Sequence, residues 1–270
     1  MADVPSPAKT MLSKDELSAG LKTRVIGKKL FVFDSIDSTN ACAKTLAEAG
    51  TEEGSVVISE FQTQGRGRQG RPWKAEPESN LLFSTLLRPR LSKDQAGILT
   101  FFAAVAVANA VERLTGQPVE CKWPNDLMLN GKKLCGILLE NSVQKDSIAY
   151  SVIGIGLNVN QKSFDNELAS SATSLFKETG KRLDRNKIFQ TALAEMDQFY
   201  DDIQKGKFES ILKQWNSRCS MFGHPVSIRQ GDTTISGNAV GLSPDGGLIV
   251  KTPQQTITLY AGDVSLGKKS

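Results

Sequence analysis

The stretch Cys121–Glu140, CKWPNDLMLNGKKLCGILLE, contains the strongest local structural signal in the chain. Asn130-Gly131 separates two apolar runs by two residues, and this pair is typical of a type I′ turn, in which both central residues take positive φ. The stretch therefore predicts a β-hairpin. Lys132 and Lys133 follow the turn on neighbouring strand positions, so their side chains point to opposite faces and one of them can reach a site. The pattern alone does not decide which one.

Other predicted strands and helices alternate on both sides of this hairpin. SVVISEF (55–61), LLFSTLLRP (81–89) and SVIGIGLNVN (151–160) are β-rich runs. Gly154 and Gly156 interrupt the last run, and glycine within a strand often marks the close approach of a ligand or another backbone. DSTNACAKTLAEAG (37–50) predicts a helix that ends at Gly50, and further helices are expected over 186–204 and 208–218. This mixture favours an α+β domain.

The most apolar segment is ILTFFAAVAVANAVERL (98–114). Its apolar residues recur at helical spacing, Asn109 interrupts the apolar run, and Glu112 and Arg113 end it. We therefore predict a buried core helix that ends at Gly116 rather than a membrane span. The N-terminal residues are polar and contain no signal-like apolar segment, so we expect a cytoplasmic protein that does not bind a membrane.

The residue composition of the sequence changes near Met221. From there the chain consists of short β-rich runs separated by Gly, Pro and Asp turns, which predicts a small all-β barrel. The predicted organisation is therefore an N-terminal tail over 1–28, a main domain over 29–220 and a β module over 221–270.

The composition excludes several kinds of site. The four cysteines are far apart with no paired spacing, which excludes a zinc-type cysteine cluster and favours a reduced, cytosolic protein. The single histidine, His224, stands beside a proline and is expected in a turn, so a Ser-His-Asp hydrolase or a histidine-rich metal site is disfavoured. The net charge of +4 permits anionic ligands without indicating nucleic acid.

The run GRGRQGR (65–71) combines three glycines with three arginines. Backbone N–H groups of a glycine-rich loop can surround an oxyanion, and arginines add charge-assisted hydrogen bonds. The loop is neither a Walker A nor a Rossmann motif, because no GK[ST] or GxGxxG opens a helix after it. A solvated basic loop and a nucleic-acid contact remain alternatives. Trp73, just beyond, suits either core packing or stacking on a nucleobase.

KWPND (122–126) leads directly into the hairpin. Asn125 and Asp126 bring oxygen atoms to one place, which suits a Mg²⁺ ion shared with phosphates. The alternative is a simple turn at the start of a strand, since Pro-Asn-Asp is common turn chemistry.

Five motifs in order, DSTN, FQTQGRGRQGRPW, KWPND, GKKLCGILLE and IGIGLNVN, resemble those of biotin–protein ligases. The resemblance extends from about Asp34 to Leu266 and includes the β module. It implies a mixed sheet with helices, related to class II aminoacyl-tRNA synthetases and lipoate ligases, followed by an SH3-like barrel. It also implies a two-step reaction: biotin and ATP form biotinyl-5′-AMP and pyrophosphate, and biotin then passes to a lysine of a biotin carrier protein, such as that of acetyl-CoA carboxylase.

The resemblance implies a role for each motif residue. Lys133, Arg66 and Arg68 would be catalytic, and Asp126 would hold Mg²⁺ together with phosphates. The residues expected to bind biotin are Ser38, Thr39, Asn40, Gln62, Arg66, Gly67, Arg68, Lys133 and Gly136. The residues expected to bind ATP are Trp73, Asn125, Asp126 and Asn158.

The chain departs from the family pattern in two places. Few residues precede DSIDSTN, and they begin with a Pro- and Ser-rich segment, so we expect a monofunctional ligase without a DNA-binding domain. Gly267 stands where the family often has an arginine after VSL, so an ATP contact by that arginine is not expected. The rival functions are a lipoate or octanoyl ligase or transferase on the same scaffold and a nucleic-acid-binding module. The sequence leaves a monomer and a homodimer equally open.

Overall fold

A computed structural model describes residues 12–266 of the chain. The helices are α1 (Lys14–Ser18), α2 (Thr39–Glu48), α3 (Ile98–Thr115), α4 (Leu175–Thr179), α5 (Arg185–Gln204) and α6 (Glu209–Ser217). The strands of the larger sheet are β1 (Leu30–Ile36), β2 (Val56–Gln62), β3 (Leu81–Leu87), β4 (Glu120–Lys122), β5 (Asp126–Leu129), β6 (Lys132–Gln144) and β7 (Ser147–Leu157). The strands of the smaller sheet are β8 (Pro225–Gln230), β9 (Thr233–Leu242), β10 (Leu248–Lys251), β11 (Thr256–Leu259) and β12 (Asp263–Leu266).

The larger sheet is mixed and runs in the order β1-β2-β3-β7-β6-β5-β4. Its β1–β2 pair is parallel, whereas the other pairs are antiparallel. The hairpin predicted at Asn130-Gly131 joins β5 to β6, with φ of 49° and 73° at the two turn residues. Both values are positive, as a type I′ turn requires, so this prediction is confirmed.

Helices cover both faces of the larger sheet. Alternate residues of β2 and β3 point to opposite faces: Val57 and Leu86 pack with α2 on one side, and Val56 and Phe83 join the main core on the other. In that main core Phe83 meets Phe189 of α5 edge to face, with ring centroids 5.2 Å apart. This two-residue alternation produces a helix–sheet–helix arrangement.

Helix α3 is the centre of the main core. Its residues from Phe101 to Ala108 are all buried, and the helix ends at Gly116, whose φ of 69° and N–H bond to the Glu112 carbonyl form a left-handed cap. The span Lys93–Thr115 is long and apolar enough to cross a membrane by length and composition, but two-thirds of its most apolar stretch is buried inside the protein. The predicted core helix is confirmed.

The smaller sheet is antiparallel throughout, in the order β11-β10-β9-β8-β12. Its buried face contains Val226, Ile228 and Val250, which belong to the same hydrophobic core as the main domain. Trp123, the second residue of the KWPND motif, contacts the module: its indole N–H donates to the Gly246 carbonyl over 3.3 Å. The module is the predicted SH3-like unit, and it packs directly beside the predicted site. The mixed-sheet fold class is confirmed.

The described part of the predicted N-terminal tail, residues 12–28, packs against the main domain. Leu17 and Ile26 are fully buried, and the Asp197 carboxylate of α5 accepts backbone N–H bonds from Arg24, Val25 and Ile26. The Asp197 carboxylate therefore helps to hold this segment on the main domain, together with the Gln190 amide, which donates to the Glu16 and Ala19 carbonyls. No local sequence pattern predicted these contacts.

Candidate active site

One cavity of about 340 Å³ brings together residues from segments that are widely separated in the chain. It opens over the glycine-containing stretch of β6 and β7. The segment Gly65–Trp73, which we call the basic loop, lies above it. Every residue predicted for the site lines this cavity: Ser38, Thr39, Asn40, Gln62, Arg66, Gly67, Arg68, Trp73, Asn125, Asp126, Lys133, Gly136 and Asn158. These residues are as far apart in sequence as 38 and 158, so the fold, rather than local structure, assembles them.

The start of α2 forms one wall of the cavity. Ser38 is the N-cap, and its hydroxyl accepts the Ala41 N–H over 3.4 Å. The Gln62 side-chain carbonyl accepts from both the Thr39 backbone N–H (2.7 Å) and the Thr39 hydroxyl (2.9 Å), so the two residues hold each other in place. Hydroxyl and amide groups are therefore fixed by neighbouring hydrogen bonds at this wall.

Asn40 is fixed on three sides. Its amide nitrogen donates to Glu140 over 2.7 Å and to the Leu138 carbonyl over 3.3 Å, while its carbonyl accepts from the Ser84 hydroxyl over 2.6 Å. Gly154 makes room for this side chain, because a Cβ at residue 154 would lie 2.0 Å from the Asn40 Oδ1. The glycine predicted to mark a close approach does so, and the approaching group is a side chain.

Gly156 and Gly136 leave room for Trp73. A Cβ at residue 156 would lie 2.5 Å from the indole, and one at residue 136 would lie 2.8 Å from it. The indole therefore lies against the bare backbone of β6 and β7. Its N–H is buried and has no hydrogen-bond partner among the residues that the structure describes. Trp73 thus lines the cavity with a flat apolar surface and one available donor.

The basic loop folds into a compact turn. The Gly67 N–H donates to the Arg71 carbonyl over 2.7 Å and the Trp73 N–H to the Gly65 carbonyl over 2.8 Å. Arg68–Gly70 forms a 3₁₀ turn between them. Arg66 is half-exposed, with its guanidinium 4.0 Å from the Glu140 carboxylate. The loop thereby places its arginines at the mouth of the cavity.

Two arginines of the loop reach other parts of the site. Arg68 donates to the Asn125 side chain over 3.3 Å and to the Gly262 carbonyl over 3.4 Å. Burial lowers the pKa of Arg68, and the nearby Asp263 and Asp126 carboxylates oppose that change. Arg71 forms an ion pair with Asp263 of β12. The loop therefore contacts the C-terminal module directly.

Of the two neighbouring lysines, Lys133 is the one that faces the cavity. Its Nζ lies 2.7 Å from the Asp126 Oδ1 and 5.5 Å from the centroid of the Trp73 ring. Lys132 does not line the cavity; it lies near Glu178, where its charge helps to lower the pKa of that carboxyl after the larger effect of the Thr173 hydrogen bond. The prediction that the two side chains diverge is confirmed.

A β-bulge changes the register beyond Lys133. Leu127 pairs with Cys135 and Met128 pairs with Lys133, which leaves Leu134 as an extra residue. Strict alternation would place Lys133 and Cys135 on one face, but the bulge instead places Lys133 above Gly136: a Cβ at residue 136 would lie 3.2 Å from the lysine Nζ. Gly136 is thus the floor under the lysine side chain.

Asn158 closes the far side of the cavity. Its amide nitrogen donates to the Thr173 carbonyl over 3.0 Å, and its buried Oδ1 has no partner among the described residues. The neighbouring loop adds Phe164, Leu168 and Ala172 to the cavity wall. Sequence reasoning missed these three apolar residues, because they belong to a loop with no periodic pattern. It also missed Asp263, whose role depends on how the two sheets pack.

No cluster of three metal-binding side chains occurs within residues 12–266. Asp126 supplies one carboxylate whose Oδ1 is buried against Lys133. A Mg²⁺ ion in protein sites commonly uses one or two carboxylates and takes its other ligands from phosphates and water. The residues present therefore fit a magnesium ion delivered with a polyphosphate, and they do not form a protein-only metal cage.

Comparison with known proteins agrees with this site. Residues 32–158 match the model of the Biotin/lipoate A/B protein ligase family, and residues 221–267 match that of the biotin protein ligase C terminal domain. The bifunctional ligase/repressor BirA of Bacillus spizizenii is 37% identical over 95% of this chain and 79% of that protein. The biotin--[acetyl-CoA-carboxylase] ligase of Paracoccus denitrificans is 31% identical over 86% of this chain and 98% of that protein.

Among solved structures, the biotin protein ligase from Aquifex aeolicus in complex with biotin and ATP has a TM-score of 0.77 and 31% identity. The match covers 90% of this chain and 100% of that one. The chain therefore consists of a ligase domain that contains the cavity and an SH3-like C-terminal domain packed against it. This combination defines the class of biotin protein ligases. The chain belongs to the biotin–protein ligase family.

Proposed function

We propose that this protein is an ATP-dependent biotin–[acetyl-CoA-carboxylase] ligase. It forms biotinyl-5′-AMP from biotin and ATP and transfers biotin to a specific lysine of a biotin carrier protein. The observation that carries this proposal is the convergence of Arg66, Arg68 and Lys133 on one cavity that also contains a fixed hydroxyl–amide wall and a flat indole. The site provides cations and hydrogen-bonding groups where a carboxylate and a nucleotide would meet.

In the first step a carboxylate oxygen of biotin attacks the α-phosphorus of ATP, and the bond to the leaving pyrophosphate breaks. The reaction brings two anions together, so it depends on fixed positive charge more than on a general base. Lys133 is suited to the carboxylate and the bridging oxygen, and Arg66 and Arg68 are suited to the carboxylate and the α-phosphate. Asp126 holds Lys133 in position through the 2.7 Å ion pair.

In the second step the amine of a carrier lysine attacks the carbonyl carbon of the mixed anhydride. AMP leaves, and the amine loses its proton to solvent. The same cations stabilise the AMP phosphate as it departs. The basic loop, which includes Gly67, closes over the intermediate. It excludes water, which would otherwise hydrolyse the anhydride.

The two ends of the cavity are suited to the two substrates. Ser38, Thr39, Asn40 and Gln62 present fixed hydroxyl and amide groups for the ureido ring of biotin, and Gly136 leaves space beside Lys133. At the other end, Trp73 offers a stacking surface for adenine, and Asn158 has a free Oδ1 for the adenine amino group.

The phosphates lie on the side of Asn125 and Asp126. Magnesium, when bound there, would neutralise phosphate charge, with Asp126 as its protein ligand. Asn125 accepts from Arg68 and donates to the Ile137 carbonyl over 2.7 Å, so its role is to position Arg68 beside the phosphates.

The partner in the second step is a biotin carrier domain, and we place the reaction in the cytoplasm, where such substrates and reduced cysteines are found. Burial raises the pKa of the Cys121 thiol to about 12, which makes it an inert core residue rather than a nucleophile.

The test is formation of biotinyl-5′-AMP by the purified chain from biotin and MgATP, followed by labelling of a carrier domain. Lipoate and octanoate in place of biotin test the rival ligase activity, because the family model covers both ligase types. Biotin with MgATP should raise the melting temperature, and an oligonucleotide should not. Adenylation of lipoate but not biotin would overturn the proposal, as would stabilisation by the oligonucleotide alone.

A further inference from the structure

Glu140 of β6 stands behind one wall of the active-site cavity without lining it. It pairs with Val152 of β7, which packs with Ala43 and Ala47 of α2. Residues paired across two strands point to the same face of a sheet, so Glu140 points to the face that α2 covers. Its carboxylate therefore lies beside the start of α2, where the wall of hydroxyl and amide groups begins.

The hydrogen bonds of Asn40 leave its amide a single orientation. Its two N–H groups are both used: one donates to the Glu140 Oε2 over 2.7 Å and the other to the Leu138 carbonyl over 3.3 Å. Its oxygen accepts from the Ser84 hydroxyl over 2.6 Å. An ionised carboxylate accepts hydrogen bonds and donates none, so the amide nitrogen must face Glu140. Glu140 therefore holds Asn40 with its oxygen on the side of Ser84.

This orientation determines which hydrogen bonds the wall can offer to a ligand. The Ser84 hydroxyl lies 2.6 Å from the Asn40 oxygen and 2.7 Å from the Thr39 hydroxyl. The Thr39 hydroxyl in turn donates to the Gln62 side-chain carbonyl over 2.9 Å. The hydroxyl protons and both amide protons of Asn40 are thus used inside the wall. Oxygen lone pairs remain, and these accept hydrogen bonds from N–H groups of a ligand.

The other oxygen of the Glu140 carboxylate faces the basic loop. Glu140 Oε1 lies 4.0 Å from an Arg66 guanidinium nitrogen. Both side chains are partly exposed, so this ion pair contributes little stability of its own, but it directs Arg66 toward the wall. One carboxylate thus contacts both an amide of the cavity wall and an arginine of the loop above the cavity.

We infer that Glu140 is a positioning residue for biotin recognition. By holding Asn40 it keeps the wall rich in acceptors, which suits a ligand with ring N–H donors, such as the ureido ring of biotin. A dithiolane ring or a plain alkyl chain has no such donors, so lipoate and octanoate would leave the oxygens of the wall without partners. The inference rests on the proposed function, because it takes the ureido ring to lie at this wall.

The first test measures biotin binding to the full-length chain by calorimetry. Glu140→Ala should weaken binding about tenfold, the effect expected when one hydrogen-bonding group is misoriented. Glu140→Leu, which keeps most of the volume without an acceptor, should lose as much. Glu140→Gln should stay within about threefold of the wild type, because its oxygen can still accept from Asn40 and only the exposed ion pair with Arg66 is lost. Asp34→Ala is the matched control: it removes a carboxylate from an exposed position of β1 in the same sheet, away from the cavity, and should bind like the wild type.

A double-mutant cycle tests whether Glu140 acts through Asn40. Asn40→Ala should itself weaken biotin binding about tenfold. Adding Glu140→Ala to that variant should change the affinity by less than about twofold, because the group that Glu140 positions is already gone. Losses that multiply would show that Glu140 acts independently of Asn40 and would overturn the inference.

Steady-state kinetics of biotinyl-AMP formation separate positioning from a general loss of structure. In variants whose melting temperature matches the wild type, Glu140→Ala or Glu140→Leu should raise the KM for biotin about tenfold and leave the KM for ATP within about twofold. An equal rise in both constants would mean that Glu140 supports the site as a whole, and the inference would be wrong.

Failure of the inference and failure of the proposed function give different results. Equal biotin affinity in the wild type, Glu140→Ala and Glu140→Leu would refute the inference and leave the proposed function standing. A wild type that binds biotin with the expected dependence on Asn40 and Glu140, yet forms no biotinyl-AMP, would instead refute the proposed function.

Discussion

The Nζ of Lys133 lies 2.7 Å from the Oδ1 of Asp126, a residue of the neighbouring strand β5 that pairs with Gly136. This contact makes the lysine side chain stand over Gly136 and beside the Trp73 ring, while its neighbour Lys132 points away toward Glu178. The two adjacent lysines thus form a matched pair, with the same charge and opposite faces, for testing the proposed chemistry.

Lys133→Ala should fold normally and lose about a hundredfold in the rate of biotinyl-AMP formation, the effect of roughly 3 kcal/mol from one lost transition-state contact. Lys132→Ala should remain close to the wild-type rate. The measurement is pyrophosphate release from biotin and MgATP without carrier. Near-normal release by Lys133→Ala, or an equal loss in both variants, would contradict the assignment.

Gly154→Ala tests the space beside Asn40. The added methyl would lie 2.0 Å from the Asn40 Oδ1, so the amide must leave its bonds to Ser84 and Glu140. We expect weaker biotin binding and a stability loss of about 1–3 kcal/mol from overpacking. Calorimetry with biotin and thermal melting measure the two effects.

Gly241→Ala is the control for this substitution, because a Cβ at residue 241 meets nothing within 4 Å. It should leave both biotin affinity and stability near wild-type values. Wild-type biotin affinity in Gly154→Ala would mean that the Asn40 side chain does not contribute to the biotin end of the cavity.

The basic loop should respond to ligand. Gly65 to Trp73 carries three arginines at the mouth of the cavity, so trypsin can report its opening. Without ligand we expect cleavage within the loop, and with biotin and MgATP we expect clear protection, because the closed loop contacts the intermediate. Mass spectrometry of the early fragments identifies the cut. Protection by MgATP without biotin in the same degree, or no protection at all, would remove the lid hypothesis.

Glu178 links the hairpin turn to the loop that follows β7. It accepts from the Thr173 hydroxyl and from the Asn130 amide, and these bonds together with Lys132 hold the pKa of Glu178 below its ordinary value of 4.5. A depressed folded-state pKa gives stability that is present above the unfolded-state pKa and is lost as pH falls through the folded-state pKa.

Stability of the wild type should therefore fall more steeply below about pH 4.5 than that of Glu178→Gln, which cannot titrate. At pH 7 the variant should be the less stable of the two. Urea unfolding at a series of pH values compares them. Parallel curves for the two proteins across the acid range would show that Glu178 contributes nothing through its charge.

Local sequence was sufficient for several elements. The Asn130-Gly131 turn and the left-handed end of α3 at Gly116 follow from backbone preferences that act within a few residues. The site residues that the family resemblance implies all line one cavity, although their roles there remain predictions.

Tertiary structure alone decided the remaining features. The bulge at Leu134 placed Lys133 over Gly136, because an inserted residue shifts the alternation that a sequence pattern assumes to be constant. Asp263 meets Arg71 because two sheets far apart in sequence pack beside each other. Local preferences fix the direction of a side chain relative to its own strand, whereas contacts across more than a hundred residues depend on how buried surfaces fit together.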